Sequence, residues 1–148
     1  MPDANVVQAE SLVMVRSLPA TPDRVWRAWV DADALRVWFG QSEFAGWQAD
    51  LDVREGGRYR FLLQDGDGVQ YRIHGVYREV TPYQRLVFTW IQYGGPYEGE
   101  ALITVELAPR GGEGGTDLRF TLDPVFDPRS HDAWSADFRR LGRWLRST

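Results

Sequence analysis

The sequence contains no cysteine and no lysine, and it has only two histidines among its 148 residues. Without cysteine there is no disulfide, no thiolate nucleophile and no cysteine-ligated zinc site. The two histidines, His74 and His131, are far apart in the chain and lack the spacing of a metal-ligand set, so we expect no metal and no other cofactor. All 17 basic residues are arginine, which we interpret as coding bias more than chemistry.

Long apolar runs are also missing. No stretch approaches the roughly 20 residues of a membrane span, and the first residues lack the basic and apolar segments of a signal peptide. We therefore expect a cytoplasmic protein without membrane insertion. The formal net charge of -4 argues against nucleic-acid binding in general.

Aromatic residues, in contrast, are abundant. Seven Trp, six Tyr and seven Phe are more than a minimal core of this size needs. Two interpretations stay open: an aromatic-lined cavity that binds a ligand, or a core that the rings fill completely. The length fits one domain, which we place at residues 8–147 after a loose N-terminus at 1–7.

The apolar pattern predicts a strand, two short helices, a series of strands and a long final helix. In the last segment, 130–146, the apolar residues follow the spacing of one helix face, and arginines occupy the other face. Short helices are expected after Thr21-Pro22 and at 32–37, and strands at 10–18, 43–53, 58–64, 69–80, 85–92, 100–108 and 116–122. Glycine-rich turns separate the strands, which favours an antiparallel meander in an α+β fold. The inward face of 69–80 stays undecided, because both of its faces carry apolar residues.

A series of short motifs runs through most of the chain. It comprises Pro19-Ala20-Thr21-Pro22-Asp23-Arg24-Val25-Trp26-Arg27-Ala28-Trp29, Trp38-Phe39-Gly40, Gly56-Gly57-Arg58-Tyr59-Arg60-Phe61, Gly75-Val76-Tyr77-Arg78-Glu79-Val80-Thr81-Pro82, Arg85-Leu86-Val87-Phe88-Thr89-Trp90 and Ile103-Thr104-Val105-Glu106-Leu107. In this order, and with a Trp-bearing final helix, the motifs resemble the activator-of-Hsp90-ATPase-homologue branch of the START-like (SRPBCC, Bet v 1-like) superfamily.

The resemblance implies a helix-grip fold, in which a curved antiparallel sheet surrounds a long C-terminal helix. Members of this superfamily bind lipids, polyketides, hormones or other apolar molecules in a cavity between sheet and helix; some are cyclases or hydrolases, and some contact chaperones. Two positions depart from the pattern. Many relatives carry a histidine in the segment that is 121–127 here, and many carry a glycine where this chain has Ala133.

We take the aromatic set as the candidate ligand-binding site, with one histidine as a hydrogen-bonding group. The candidate residues are Trp38, Tyr59, Phe61, Tyr71, His74, Trp90, Trp134 and Phe138. The ligand is expected to be a small apolar or aromatic molecule, bound without catalysis. No catalytic residues or metal ligands are assigned.

Two further functions stay open. The first is a protein-interaction module resembling the chaperone-activator domain, with a protein partner on the exposed sheet, on the loop 94–99 or on the arginine row of the last helix. The second is a cyclase or hydrolase in which His74 or a tyrosine is the acid-base group. A homodimer through a sheet edge or through the aromatic loop 93–97 also stays open.

Overall fold

The computed structural model describes residues 10–40, 44–112 and 114–147. The elements follow the predicted order. They are β1 (Leu12–Leu18), α1 (Pro22–Val30), α2 (Ala32–Trp38), β2 (Phe44–Leu51), β3 (Arg58–Asp65), β4 (Gln70–Thr81), β5 (Arg85–Tyr93), β6 (Gly99–Arg110), β7 (Gly115–Asp123) and α3 (Ser130–Ser147). The loose N-terminus expected at 1–7 lies outside the described residues, as do Glu43 and Glu113.

All seven strands form one antiparallel sheet in the order β1-β7-β6-β5-β4-β3-β2. Strands β2 to β7 make the predicted meander, and β1 joins it beside β7, with Leu12 opposite Leu122 and Leu18 opposite Thr116. The predicted α+β helix-grip fold is confirmed. None of the helices in the described part of the chain is both long and apolar enough to cross a membrane.

The side of the sheet that faces the helices is set by alternation along each strand. Residues at every second position are buried, and the intervening ones face outward. On β3, β5, β6 and β7 the alternating apolar residues face inward, as expected from the sequence: Tyr59, Phe61 and Leu63; Leu86, Phe88 and Trp90; Ile103, Val105 and Leu107; and Leu118, Phe120 and Leu122. On β4 the structure settles the open question, because Ile73 and Tyr77 are buried whereas His74 is exposed.

Helix α3 packs its predicted apolar stripe onto the inner face of the sheet. Trp134, Phe138, Leu141 and Leu145 are all buried. The stripe also contains a residue that apolar spacing does not find: Asp137 is buried beside Phe138. This carboxylate lies where α3 meets the end of α2.

Helices α1 and α2 cover the inner face of the sheet next to α3. Asp31 separates them and caps α2, since its carboxylate accepts hydrogen bonds from the backbone N–H groups of Asp33 (2.9 Å) and Ala34 (3.4 Å). Burial opposes ionisation of Asp31, but these two N–H groups and Arg27 outweigh it and lower the pKa of the carboxyl. The cap therefore stabilises the start of α2, the helix whose end places Trp38 and Phe39 in the core.

Candidate ligand-binding site

An outer cavity of about 90 Å³ lies between the first turns of α3 and the sheet. Its apolar wall includes Phe39, Ile73, Trp90 and Trp134. Its polar side is formed by Gln92, Asp127, Arg129, Ser130 and Asp137. A concave site with an aromatic wall and a few converging polar groups has the usual composition of a small-molecule site.

A smaller inner cavity of about 20 Å³ lies deeper beneath the helices. Aromatic rings dominate its lining: Trp29, Tyr59, Phe61, Tyr77, Phe88 and Trp134. The volume is enough for about one water molecule, since a cavity needs roughly 10–15 Å³ for that. Most of the space beneath α3 is therefore filled by side chains.

Three rings separate the two cavities. Phe39, Trp90 and Trp134 line both of them. The ring centroids of Phe39 and Trp134 are 5.4 Å apart, those of Phe39 and Trp90 are 5.8 Å apart, and those of Trp90 and Trp134 are 5.6 Å apart. We call these three residues the aromatic partition. A rotation of any of its rings changes the volume on both sides.

The polar side of the outer cavity is held by a local network. The Arg129 guanidinium contacts the Asp127 carboxylate at 2.9 Å and lies 5.0 Å from the Tyr97 ring centroid. The Trp90 indole N–H donates to Gln92 Oε1 at 3.2 Å. Burial, followed by the Asp65 carboxylate, raises the pKa of Tyr71, so this phenol is neutral at physiological pH. The network presents both donors and acceptors to a molecule in the cavity.

Asp137 links α3 to the end of α2 through hydrogen bonds and an ion pair. Its carboxylate accepts from the Gly40 backbone N–H at 3.1 Å and pairs with Arg140, which in turn donates to the Trp38 carbonyl at 3.0 Å. The side chains of Asp137 and Arg140 are only 7% and 20% exposed. The Asp137–Arg140 pair binds the Trp38 carbonyl and the Gly40 N–H. Because Phe39 lies between these two residues in the chain, the pair holds Phe39 in the aromatic partition.

Tyr59 spans the sheet beneath the inner cavity. It pairs across strands with Gly75, and its hydroxyl donates to the Thr89 carbonyl on β5 at 2.5 Å. The Thr89 hydroxyl in turn accepts from the Val76 backbone N–H at 2.8 Å. Burial, followed by the neighbouring Tyr77, raises the pKa of Tyr59 well above its ordinary value, and burial does the same for Tyr77. Both phenols are therefore neutral, which disfavours either as a general base.

The structure places the eight candidate residues in four environments: the outer cavity, the inner cavity, the solid core and the outer face of the sheet. Tyr71, Trp90 and Trp134 line the outer cavity, and Tyr59 and Phe61 line the inner one together with Trp90 and Trp134. Trp38 and Phe138 lie in the solid core: their rings stack at 6.1 Å, and the Trp38 indole N–H donates to the Ala28 carbonyl at 2.9 Å. Neither lines a cavity.

The assignment of His74 to the site was wrong. His74 is exposed on the outer face of β4, where its ring stacks on Tyr93 with centroids 5.5 Å apart. Its neighbour Ile73 is the one that faces inward, because adjacent strand residues point to opposite faces. His74 therefore contributes no hydrogen bond inside either cavity.

Sequence reasoning missed three residues of the site. Trp29, Phe39 and Asp137 line these cavities but were not among the candidate residues. The Trp38-Phe39-Gly40 motif was a usable signal for Phe39, because a glycine directly after an aromatic pair leaves its backbone N–H accessible to a partner. Ala133, one of the two departures from the resembled pattern, lines the outer cavity. No group of three or more His, Asp or Glu residues in the described ranges is placed to hold a metal ion.

Comparison with known proteins gives one family and a large set of similar folds. The family model of activator of Hsp90 ATPase homolog 1-like proteins matches residues 19–144. Protein CV1439 from Chromobacterium violaceum is 26% identical, with a TM-score of 0.77 over 91% of this chain and 96% of that one. A protein from Rhizobium leguminosarum is 27% identical, with a TM-score of 0.79 over 95% of this chain and 97% of that one.

A third similar structure is DynU16, a protein in the dynemicin biosynthetic locus. It is 26% identical with a TM-score of 0.67, and the match covers 92% of this chain and 47% of that one. No curated protein matches the chain.

Proposed function

Because the chain belongs to the family of activator of Hsp90 ATPase homolog 1-like proteins, we propose that it is a binding protein for a small apolar or aromatic molecule. The site is the outer cavity beneath α3, and binding occurs without catalysis. The observation that carries the proposal is the aromatic partition, which gives the cavity flat apolar walls while the opposite side offers hydrogen-bonding groups. The likeness to DynU16, a protein in a biosynthetic locus, supports a small-molecule ligand.

The cavity volume limits the ligand. About 90 Å³ is less than the engineered cavity of about 150 Å³ that accommodates benzene. A single-ring molecule therefore needs a small shift of the partition, and a larger one needs the partition to open. Stacking against Trp90 and Trp134 favours a planar molecule, because ring faces and edges give aromatic contacts their geometry.

A thermal-shift experiment with a filled-cavity variant tests the proposal. Ala133→Leu replaces a methyl group of the cavity lining with an isobutyl group. Ala136→Leu makes the same change three residues along α3 at a half-buried position outside both cavity linings. A panel of single-ring aromatic probes, including acetophenone and isopropylbenzene, is applied to the wild type and to both variants.

We expect some probes to stabilise the wild type and Ala136→Leu but not Ala133→Leu. At a concentration ten times the dissociation constant, mass action adds about 1.4 kcal/mol. For a domain of this size that raises Tm by about 4 °C. Equal shifts in both variants would place binding elsewhere, and no shift in the wild type across the panel would refute the proposal.

A second candidate function, docking of an acidic protein segment, is favoured by the outer face of the sheet. Arg58, Arg60 and Arg72 are exposed there, with His74 opposite Arg60 across the strands. Asp50 on β2 pairs with Arg60 at 2.8 Å, but the outward positions 58–64 of β3 and 70–76 of β4 carry no carboxylate, although the chain as a whole is negatively charged. A basic surface on an acidic protein attracts acidic partners selectively.

Fluorescence anisotropy with a labelled polyglutamate peptide tests this second function. Replacing Arg58, Arg60 and Arg72 together by Glu should abolish binding. The matched control replaces the three exposed arginines of α3, Arg139, Arg143 and Arg146, by Glu, and should leave binding intact. Loss of binding in both triple variants would indicate attraction to net charge alone and would contradict a specific surface.

A further inference from the structure

The indole of Trp29 is buried without a hydrogen-bond acceptor. Its side chain is 5% exposed, and its Nε1 has no partner among the described residues. The indole N–H groups of Trp38 and Trp90, in contrast, donate to the Ala28 carbonyl at 2.9 Å and to Gln92 Oε1 at 3.2 Å. Buried polar groups in proteins are paired in the large majority of cases, so an unpaired one in a cavity wall points to an acceptor that arrives from outside.

Trp29 is placed to serve a molecule that enters the site. It lines the inner cavity, and its nearest aromatic neighbours, Trp38, Phe120, Trp134 and Phe138, have centroids at 4.9, 6.2, 6.2 and 6.2 Å. Phe120 has no polar group, and the Trp38 indole has a donor but no acceptor. The hydroxyl of Tyr59, on the same cavity wall, already donates to the Thr89 carbonyl. The inner cavity therefore has apolar walls, and one of its lining residues, Trp29, carries a buried indole N–H that has no partner among the described residues.

The aromatic partition connects this donor to the proposed ligand site. Because Phe39, Trp90 and Trp134 line both cavities, a molecule that displaces one of these rings reaches from the outer cavity into the inner one. Its planar part then lies against Trp90 and Trp134, and its leading end approaches Trp29. Desolvation disfavours an ionised group at that end, since no cationic residue lines the inner cavity.

We infer that the ligand belongs to the class of neutral aromatic ketones and aldehydes, with the carbonyl oxygen accepting a hydrogen bond from Trp29 Nε1. This inference rests on the proposed function, because it assigns chemistry to the ligand of the same site. It adds a specificity-determining residue: Trp29 discriminates a carbonyl compound from a hydrocarbon of the same shape. The partition, in turn, sets how far the molecule penetrates.

The experiment compares acetophenone with isopropylbenzene, which are similar in size and differ in that a methyl group and a hydrogen replace the carbonyl oxygen. Affinities are measured by NMR of the tryptophan indole N–H groups in the wild type, Trp29→Phe and Trp47→Phe. Trp47 is the matched control, because its indole N–H is also buried without an acceptor among the described residues but it lines neither cavity. Since the hydrocarbon is the more hydrophobic probe, the informative quantity is the ratio of the two affinities in each protein.

We expect acetophenone, but not isopropylbenzene, to shift the indole N–H resonance of Trp29. Trp29→Phe should lower the affinity ratio of acetophenone to isopropylbenzene by about fivefold, the range of one neutral hydrogen bond. Trp47→Phe should leave the ratio unchanged. Trp29→Phe should lower the affinity for acetophenone but not that for isopropylbenzene. Enlargement of the cavity by the smaller side chain would instead change the affinity for both probes.

Two results would overturn the inference. If both probes shift the Trp90 and Trp134 resonances but the ratio is the same in the wild type and in Trp29→Phe, the proposed function stands and the role of Trp29 is wrong. The role of Trp29 is also wrong if both probes bind but neither shifts the indole N–H resonance of Trp29, because a water molecule then remains its hydrogen-bond partner. If neither probe affects Trp90 or Trp134, the inference and the proposed function fail together.

Discussion

The contact between β4 and β5 at Gly75 makes a sharp prediction about stability. A Cβ atom at this position would lie 2.0 Å from the Thr89 carbonyl oxygen and 2.8 Å from the Thr89 hydroxyl. Carbon and oxygen atoms of neighbouring strands normally come no closer than about 3.3 Å. Gly75→Ala therefore forces the two strands apart by about 1 Å or more, because the obstructing atom belongs to the backbone and has no rotamer to change.

The cost follows from the two hydrogen bonds that Thr89 makes. Its carbonyl accepts from the Tyr59 hydroxyl at 2.5 Å, and its hydroxyl accepts from the Val76 N–H at 2.8 Å. Losing both costs about 2 kcal/mol, and the overpacking adds about 1–3 kcal/mol. We expect Gly75→Ala to lower the free energy of unfolding by about 4 kcal/mol, measured by urea denaturation with fluorescence detection.

Gly142→Ala is the matched control. Nothing lies within 4 Å of a Cβ at Gly142, which is inside α3. Alanine is favoured over glycine in a helix by about 1 kcal/mol, so this variant should be more stable than the wild type. If Gly75→Ala costs less than about 1 kcal/mol, the strands separate without penalty and the reasoning about Tyr59 and Thr89 is refuted. Tyr59→Phe combined with Gly75→Ala should cost less than the sum of the two single changes.

Three further predictions concern the helices. Asp137→Ala leaves the Arg140 guanidinium without its carboxylate and should cost about 3 kcal/mol in urea denaturation, whereas exposed Arg143→Ala should change stability little; equal effects would contradict a buried pair. Asp31→Asn removes a carboxylate whose pKa is lower in the folded state than its ordinary value of 3.8. The stability difference from the wild type should therefore be full above that pH and disappear as the pH falls through the folded-state pKa, and a difference that persists in acid would point to another cause. Leu141→Ala empties a fully buried position and should cost about 2–5 kcal/mol; Val15→Ala, at a position 57% exposed, should stay within about 0.5 kcal/mol, and similar costs at both sites would be evidence against the described packing.

The fold was predictable because its elements carry strong periodic signals. The apolar stripe of α3 and the alternation on β3, β5, β6 and β7 each identify one buried face. On β4 the signal failed, because Val76 faces outward while the inward position next to it is Gly75, which has no side chain to mark it. The pairing of Gly75 with Tyr59 depends on the absence of a side chain at position 75, and the hydrophobic pattern therefore does not predict it.

The site was predicted only in part, for a related reason. Tyr71, Trp90 and Trp134, predicted from the aromatic content, line the outer cavity, but composition does not distinguish a ring that lines a cavity from one that fills the core, such as Trp38 or Phe138. That distinction depends on gaps between side chains, which packing decides residue by residue. Asp137 was missed because its partner, the backbone N–H of Gly40, is about a hundred residues away along the chain.

The pairing of β1 with β7 has a consequence for how the protein is made. Leu12 is opposite Leu122, so β1 cannot pair with β7 until the five strands that lie between them in the sequence, β2 to β6, have been synthesised. Bringing together segments this distant along the chain has a large loop-closure entropy, which slows folding. We therefore expect the pairing of β1 with β7 to come late in the formation of this sheet.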